Sequence, residues 1–314
     1  MEIVKLGSDA MATRFELVLH GSNASRLRAT AEEVFDEIDR LERQLSLYIP
    51  DSAIARINAR AAIEPVRIEP MVFRLLQQAQ ACQQATSGAF DITVAPLVRC
   101  WGFMGGTGNM PKSEDVDRAR QCVGMNHVIL DENDFSVRFD REGLMLDLGA
   151  IGKGYAIDRA VDIFKEAGVE NALLHGGTSS VLAIGKPCDA DAWRIVIDSP
   201  LVSTGQAKPS PEETLTTLTL KDETLSVSAV WGRTFKSNGK NFGHVIDPRT
   251  GMPVSKALLA AVVLPSGTET DALSTALLVL GPEGLDSLVK FRPTIRSMIV
   301  IPDGDRYKTI KRGL

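Results

Sequence analysis

The chain has 314 residues, 44% of them hydrophobic and 24% charged, with a mean hydropathy of zero, enough to build a sizeable core as one large domain or two joined lobes. A net charge of −5 at pH 7 argues against a surface made for nucleic acid or an anionic membrane. No apolar run approaches the roughly 20 residues that span a bilayer, and Met1-Glu2-Ile3-Val4-Lys5 lacks the basic-then-apolar pattern of a signal peptide.

From the N-terminus, Phe15, Leu17 and Leu19 alternate with polar neighbours over Thr13–His20, the pattern of a half-buried strand. Leu27, Ala31, Val34, Phe35, Ile38, Leu41 and Leu45 then recur at three- and four-residue steps. This spacing predicts a long amphipathic helix, ending before the turn-rich Tyr48–Ser52 stretch. A second helix is expected from about Pro70 to Thr86, stopped by Ser87-Gly88. Gly88–Pro96 reads as a passage from helix to strand.

Beyond Asn126, short strands are expected at His127–Leu130, Ser136–Phe139 and Leu144–Leu148, then a helix from Ile151 to about Lys165 and a strand at Ala172–His175. Further strands are expected at Val181–Ile184, Trp193–Asp198, Thr214–Leu220, Thr224–Ser228 and Ala260–Leu264. A helix follows at Asp271–Leu280, and a last strand at Ser297–Ile301. Leu201–Glu213, rich in Pro, Ser and Gly, reads as an exposed loop. Strands and helices interleaved without strict alternation predict an α+β fold, with mixed sheets and packed helices.

Three segments carry chemistry. In Asp147-Leu148-Gly149-Ala150-Ile151-Gly152-Lys153-Gly154 a strand runs into a glycine-rich turn and a helix. Such a turn offers N–H groups to a phosphate, with Lys153 adding charge; an ordinary strand-to-helix turn explains it equally well. It is neither a Walker A loop nor G-x-G-x-x-G. On a helix, Asp271, Ser274 and Thr275 share one face, and an all-oxygen set suits a hard cation. Taken alone, however, Thr268-x-x-Asp271 is more simply a capping box, with Ser or Thr bonding back to its own helix. His244 precedes the turn Asp247-Pro248-Arg249-Thr250-Gly251, as a proton carrier or as a satisfied hydrogen-bond partner. His20, His127 and His175 read as structural. The four cysteines, with no C-x-x-C pair, read as inert thiols.

In their order along the chain, these segments resemble the ApbE family of FAD:protein FMN transferases. The resemblance runs from Met11-Ala12-Thr13 through Leu45–Tyr48, Gly88–Pro96, Asp147–Asp158, Gly176-Gly177 and His244–Pro253 to Asp271–Gly281. It implies an ApbE-like, T-fold-like architecture, as a single catalytic unit over 1–314 or as two packed lobes with the FAD site between them. It implies FAD contacts at Met11, Tyr48, Ala89, Phe90, Asp91, Asp147, Lys153 and Val254. It also implies Mg²⁺ held by the Ala150 carbonyl, Asp271 and Thr275, with Ser274 where some members carry an acid. His244 and Asp271 take the catalytic positions.

The implied reaction cleaves FAD, releases AMP and leaves FMN as a phosphoester on a Thr or Ser of an acceptor protein. Two departures bear on acceptor choice. Ser228-Ala229-Val230, followed by Trp231, stands where the family commonly has Thr-Ser-Gly, and Thr178 follows Gly176-Gly177 where an acid or amide is common. An FAD carrier without transfer activity and an FAD pyrophosphatase are the alternatives that the same site would support. The compartment reads as cytoplasmic, or as periplasmic or membrane-anchored if a leader precedes this sequence.

Overall fold

In the computed structural model, which describes residues 1–200, 214–304 and 306–314, the N-terminal alternation becomes a hairpin. Strand β1 (Glu2–Ala10) pairs antiparallel with β2 (Thr13–Gly21), and Phe15, Leu17 and Leu19 are buried. The turn between them is Met11-Ala12, both residues in the left-handed region at φ 51° and 59°, as a two-residue turn matched to strand twist requires.

Helix α1 (Ala24–Leu45) is capped by Asn23, whose side chain accepts the Arg26 N–H, and buries the expected apolar stripe. Each large apolar side chain so buried contributes about 1.5–3 kcal/mol, against about 0.3–0.5 kcal/mol for a helical surface ion pair such as Arg40–Glu37. The stripe therefore decides where the helix sits.

The chain continues through α2 (Ala53–Arg60), β3 (Val66–Arg67), α3 (Pro70–Ala85), α4 (Ala95–Cys100), α5 (Ser113–Arg120), β4 (Val128–Asp131), β5 (Ser136–Phe139) and α6 (Gly152–Glu166). It then forms β6 (Asn171–Gly176), β7 (Ser180–Ile184), β8 (Trp193–Asp198), β9 (Thr214–Leu220), β10 (Glu223–Ala229), β11 (Thr234–Ser237), β12 (Lys240–Gly243) and β13 (Leu259–Leu264). Helices α7 (Gly267–Leu280) and α8 (Gly284–Phe291) and strands β14 (Arg296–Asp303) and β15 (Arg306–Arg312) complete it.

Eight strands form the main sheet in the order β1-β2-β6-β7-β10-β13-β14-β15, beside a three-stranded sheet and the hairpins β8-β9 and β11-β12. Among the described residues every strand pairing is antiparallel. The α+β class holds. Strand β13 shows how the layers stack: Leu259, Ala261 and Val263 face the β8-β9 hairpin, while Ala260, Val262 and Leu264 face α7 and α8. A strand covered on both faces reads as a continuous apolar run, which is what Leu259–Leu264 is.

The structure corrects four expectations. Leu144–Leu148 joins no ladder; the Leu146 N–H goes to the Asn58 side chain and the Asp147 N–H to the Ile92 carbonyl. Its Leu residues alternate inward as in a strand, but a side chain and a loop take the bonds. Gly88–Pro96 holds no strand; it is a buried turn leading into α4, with Pro96 in that helix's first turn. Helix α7 starts at Gly267, four residues before Asp271. The last strand is β15, not β14; its Lys- and Arg-rich sequence hides the pattern and suits an edge. Leu201–Glu213 lies outside the described residues.

Candidate active site

Two helices far apart in sequence meet backbone to backbone at Gly154 and Gly267. A Cβ on Gly154 of α6 would lie 2.0 Å from the Gly267 carbonyl oxygen and 2.7 Å from the Asp271 Cβ, and a Cβ on Gly267 would lie 2.5 Å from the Gly154 oxygen. Neither neighbour is a flexible side-chain end. Gly154→Ala is therefore expected to destabilise the fold by on the order of 3 kcal/mol or more, seen as a lowered melting temperature and loss of soluble protein.

The crossing is held by carboxylates. Asp158 of α6 accepts the Gly267 N–H at 2.6 Å, the Thr268 N–H at 2.9 Å, and the hydroxyls of Ser266 and Thr268 at 3.0 and 2.6 Å. It thus satisfies free N–H groups at the start of α7, where negative charge is favoured. The N-cap itself is Ser266, accepting the Glu269 N–H. The capping-box reading of Thr268-x-x-Asp271 therefore fails, and Asp271 is released for another task. One of its oxygens, Oδ2, accepts the Gly154 N–H at 3.0 Å, and the residue is only 4% exposed. The glycine-rich turn and the Asp271 helix thus share a single locus.

A third element reaches the same place. Ser228, near the C-terminal end of β10, contacts Ser274 Oγ at 2.8 Å and Thr275 Oγ1 at 3.0 Å. Ser274 also bonds back to the Asp271 carbonyl. Strand register gathers further segments at this end of the main sheet. Gly176 pairs with Phe15, Ser180 with Ser226, and Ser228 with Ala260, so the Met11-Ala12 turn, the Gly177–Ser179 turn and Ser228–Val230 all lie at one end. Gly177 has φ 62°, and a Cβ there would strike Thr13 Oγ1.

His244 directly follows β12, its N–H bonded to the Arg233 carbonyl. Its Nδ1 is buried with no hydrogen-bond partner. Burial first, then the positive charges of Arg233 and Lys153, hold the imidazole below the usual histidine range. Half-buried Asp147 is raised by burial, against the Gly149 N–H and the charges of Arg233 and Lys153. The charges of Arg233 and Lys153 thus act on both His244 and Asp147.

On α7, Asp271, Ser274 and Thr275 carry a carboxylate and two hydroxyls at three- and four-residue spacing, and the family resemblance adds the Ala150 carbonyl to them. Among the described residues no cluster of three or more His, Cys, Asp or Glu could cage a metal. A single carboxylate with hydroxyl and carbonyl oxygens fits a hard cation held jointly with substrate phosphates, the usual arrangement for Mg²⁺. Ser274 is fully buried, and its hydroxyl is occupied by Ser228 and its own helix.

The sequence matches the ApbE family from residue 11 to residue 299. The chain belongs to the ApbE family. An FAD:protein FMN transferase of Klebsiella pneumoniae (strain 342) is 30% identical over 306 residues, covering 95% of this chain and 92% of that protein. An FAD:protein FMN transferase of Escherichia coli K12 is 28% identical over 315 residues, covering 98% and 87%. The crystal structure of an ApbE protein from Thermotoga maritima superposes with a TM-score of 0.87 at 26% identity, covering 99% of this chain and 97% of that one.

The remaining positions expected from the ApbE resemblance are placed unevenly. Met11 sits on the strained turn at the sheet end, and Val254 donates its N–H to the Val245 carbonyl beside His244. Tyr48 is 59% exposed on the turn after α1. Ala89 and Phe90 are fully buried. Asp91 accepts the Thr93 N–H and hydroxyl and the Met125 N–H, and burial raises its pKa. Its carboxyl is therefore engaged in shaping the loop. In the sequence Ser228 stands out only as part of a departure from the family pattern, Asp158 only as the end of the Asp147–Asp158 segment, and Arg233 not at all; Ser228 and Asp158 act across sequence separations that no local pattern signals.

Outside the site, His20 accepts the Cys188 N–H, and His127 and His175 meet Asp140 and Glu16. All four cysteines are free, and burial pushes the Cys82 thiol up to about 12. Among the described residues no helix is long and apolar enough to cross a membrane.

Proposed function

We propose that this chain is an FAD:protein FMN transferase, working as one catalytic unit. The observation that carries the reading is the Asp271–Gly154 hydrogen bond, which joins the candidate cation-binding helix to the phosphate-type turn. The acceptor is a Thr or Ser hydroxyl of a partner protein. Its oxygen forms a bond to the FMN phosphorus while the P–O bond to AMP breaks, and its proton passes to His244. A neutral, partly buried imidazole with an orphaned Nδ1 is suited to accept that proton.

Asp271, Thr275 and the Ala150 carbonyl would hold Mg²⁺. Such an ion, when bound, supplies neutralisation of the pyrophosphate charge and alignment of the displacement. Lys153, Asp147 and the Met11 turn would position FAD, with Tyr48, the Ala89–Asp91 loop and Val254 as further contacts.

The test is incubation with FAD, Mg²⁺ and candidate acceptor domains, followed by intact mass and chromatography of the nucleotides. The expected result is one FMN added to an acceptor and one AMP released. Free FMN with AMP and no modified protein would mean that water is the acceptor, and the chain is then an FAD pyrophosphatase. Tight FAD binding with no product of either kind would leave a carrier.

A further inference from the structure

We infer that Ser228 is a positioning residue that sets the direction of the Thr275 hydroxyl, so that Thr275 presents lone pairs, not a proton, to the bound cation. The inference rests on the flavin-transferase reading of this site and goes beyond it in assigning a role to β10.

The argument is one of proton counting. A serine or threonine hydroxyl has one proton to give and two lone pairs. Ser274 Oγ donates to the Asp271 carbonyl at 2.9 Å, so in its 2.8 Å contact with Ser228 it accepts. The single Ser228 proton is thereby committed to Ser274. In its 3.0 Å contact with Thr275, Ser228 must then accept, and Thr275 donates. The chain runs one way, from Thr275 to Ser228 to Ser274 to the Asp271 carbonyl. Its end is fixed by a backbone carbonyl, which cannot donate, so the direction cannot reverse while these contacts hold.

A metal ligand oxygen must offer a lone pair, and the Thr275 proton is held away from that task. Without Ser228 that proton is free to rotate. It could bond back to the helix carbonyl four residues earlier, or point at the cation and oppose it. Ser228 stands on a sheet strand, paired in register with Ala260, so the relay also ties the ligand face of α7 to the main sheet. Partners of this kind, one step removed from the metal, commonly change affinity by about 10- to 100-fold when removed.

The test compares wild type, Ser228→Ala and Ser228→Thr, using Mn²⁺ as the probe in the presence of FAD and with no acceptor. Loss of the free Mn²⁺ resonance signal reads binding, flavin fluorescence reads FAD, and a thermal melt of metal-free protein reads the fold. Expected is about a tenfold weaker Mn²⁺ affinity in Ser228→Ala, with recovery to near wild type in Ser228→Thr and little change in either FAD affinity or the metal-free melt. Mg²⁺ titration of turnover should show the same split, with Ser228→Ala recovering at saturating metal. Unchanged Mn²⁺ affinity in Ser228→Ala overturns the proposal. Equal weakening in both variants alongside a lowered melt also overturns it, since that is a packing defect. Wild-type protein that binds FAD but no Mn²⁺ overturns the cation role, and wild type that binds no FAD overturns the flavin reading beneath it.

Discussion

Asp271→Asn should lower FMN transfer by at least about a thousandfold, the scale of losing the charge that anchors a catalytic cation, while leaving the melting temperature within a few degrees of wild type. The separation of the two effects follows from Asp271 having two jobs. As a hydrogen-bond acceptor it satisfies the buried Gly154 N–H; as a carboxylate it is the single negative charge in the donor set. Asparagine keeps a carbonyl oxygen for the first job and loses the second. Asp271→Ala loses both, and the stranded N–H adds about 1–3 kcal/mol of instability. Single-turnover assays by intact mass, with melts alongside, distinguish the two variants. Near-normal transfer by Asp271→Asn at ordinary Mg²⁺ would refute the metal role.

His244→Gln should lower the rate by about 10²- to 10⁴-fold, the range for losing a general base, and should remove the acid limb of the pH profile. Burial and the charges of Arg233 and Lys153 hold the His244 pKa below 6.5, so the wild-type imidazole is neutral at pH 7 and ready to accept a proton. The wild-type rate should fall as the pH drops through that lowered value, while His244→Gln stays flat there. Stability has the same sign. Below 6.5 the unfolded chain takes up a proton that the folded chain resists, so the contribution present above 6.5 is lost as the pH falls toward the folded value. Titration of the His244 ring by NMR, beside the rate profile, checks both. An acid limb that persists unchanged in His244→Gln would assign the base elsewhere.

What the sequence reveals of this molecule divides by the range of the interactions. Strand β2 and helix α1 follow from the spacing of Phe15, Leu17, Leu19 and the Leu27–Leu45 stripe, because burial of one face is a local pattern with a tertiary reward. Helices α2 and α5 have eight residues each, too few for a periodicity to stand out. The site was legible only as separate fragments. Asp271 looked like part of a cap because the group that satisfies the start of α7, Asp158, lies on another helix more than a hundred residues earlier. Ser228 looked like a departure from a pattern, and its hydroxyl contacts with Ser274 and Thr275 emerge only when β10 is laid against α7. Family resemblance supplied the order of the fragments; the folded chain supplied their distances.

The Gly154–Gly267 crossing has a consequence for how this protein tolerates change. A contact made by main chain alone has no rotamers to re-choose and no methyl groups to gain or lose. The spacing between the two helices is thus set by the thickness of the polypeptide itself. Substitutions that swell or shrink the surrounding cores are therefore expected to shift α6 and α7 together as a joined pair, with the gap that Asp271 bridges keeping its width. The candidate site is thereby expected to hold its shape when the cores beneath it change, provided that Gly154 and Gly267 are kept.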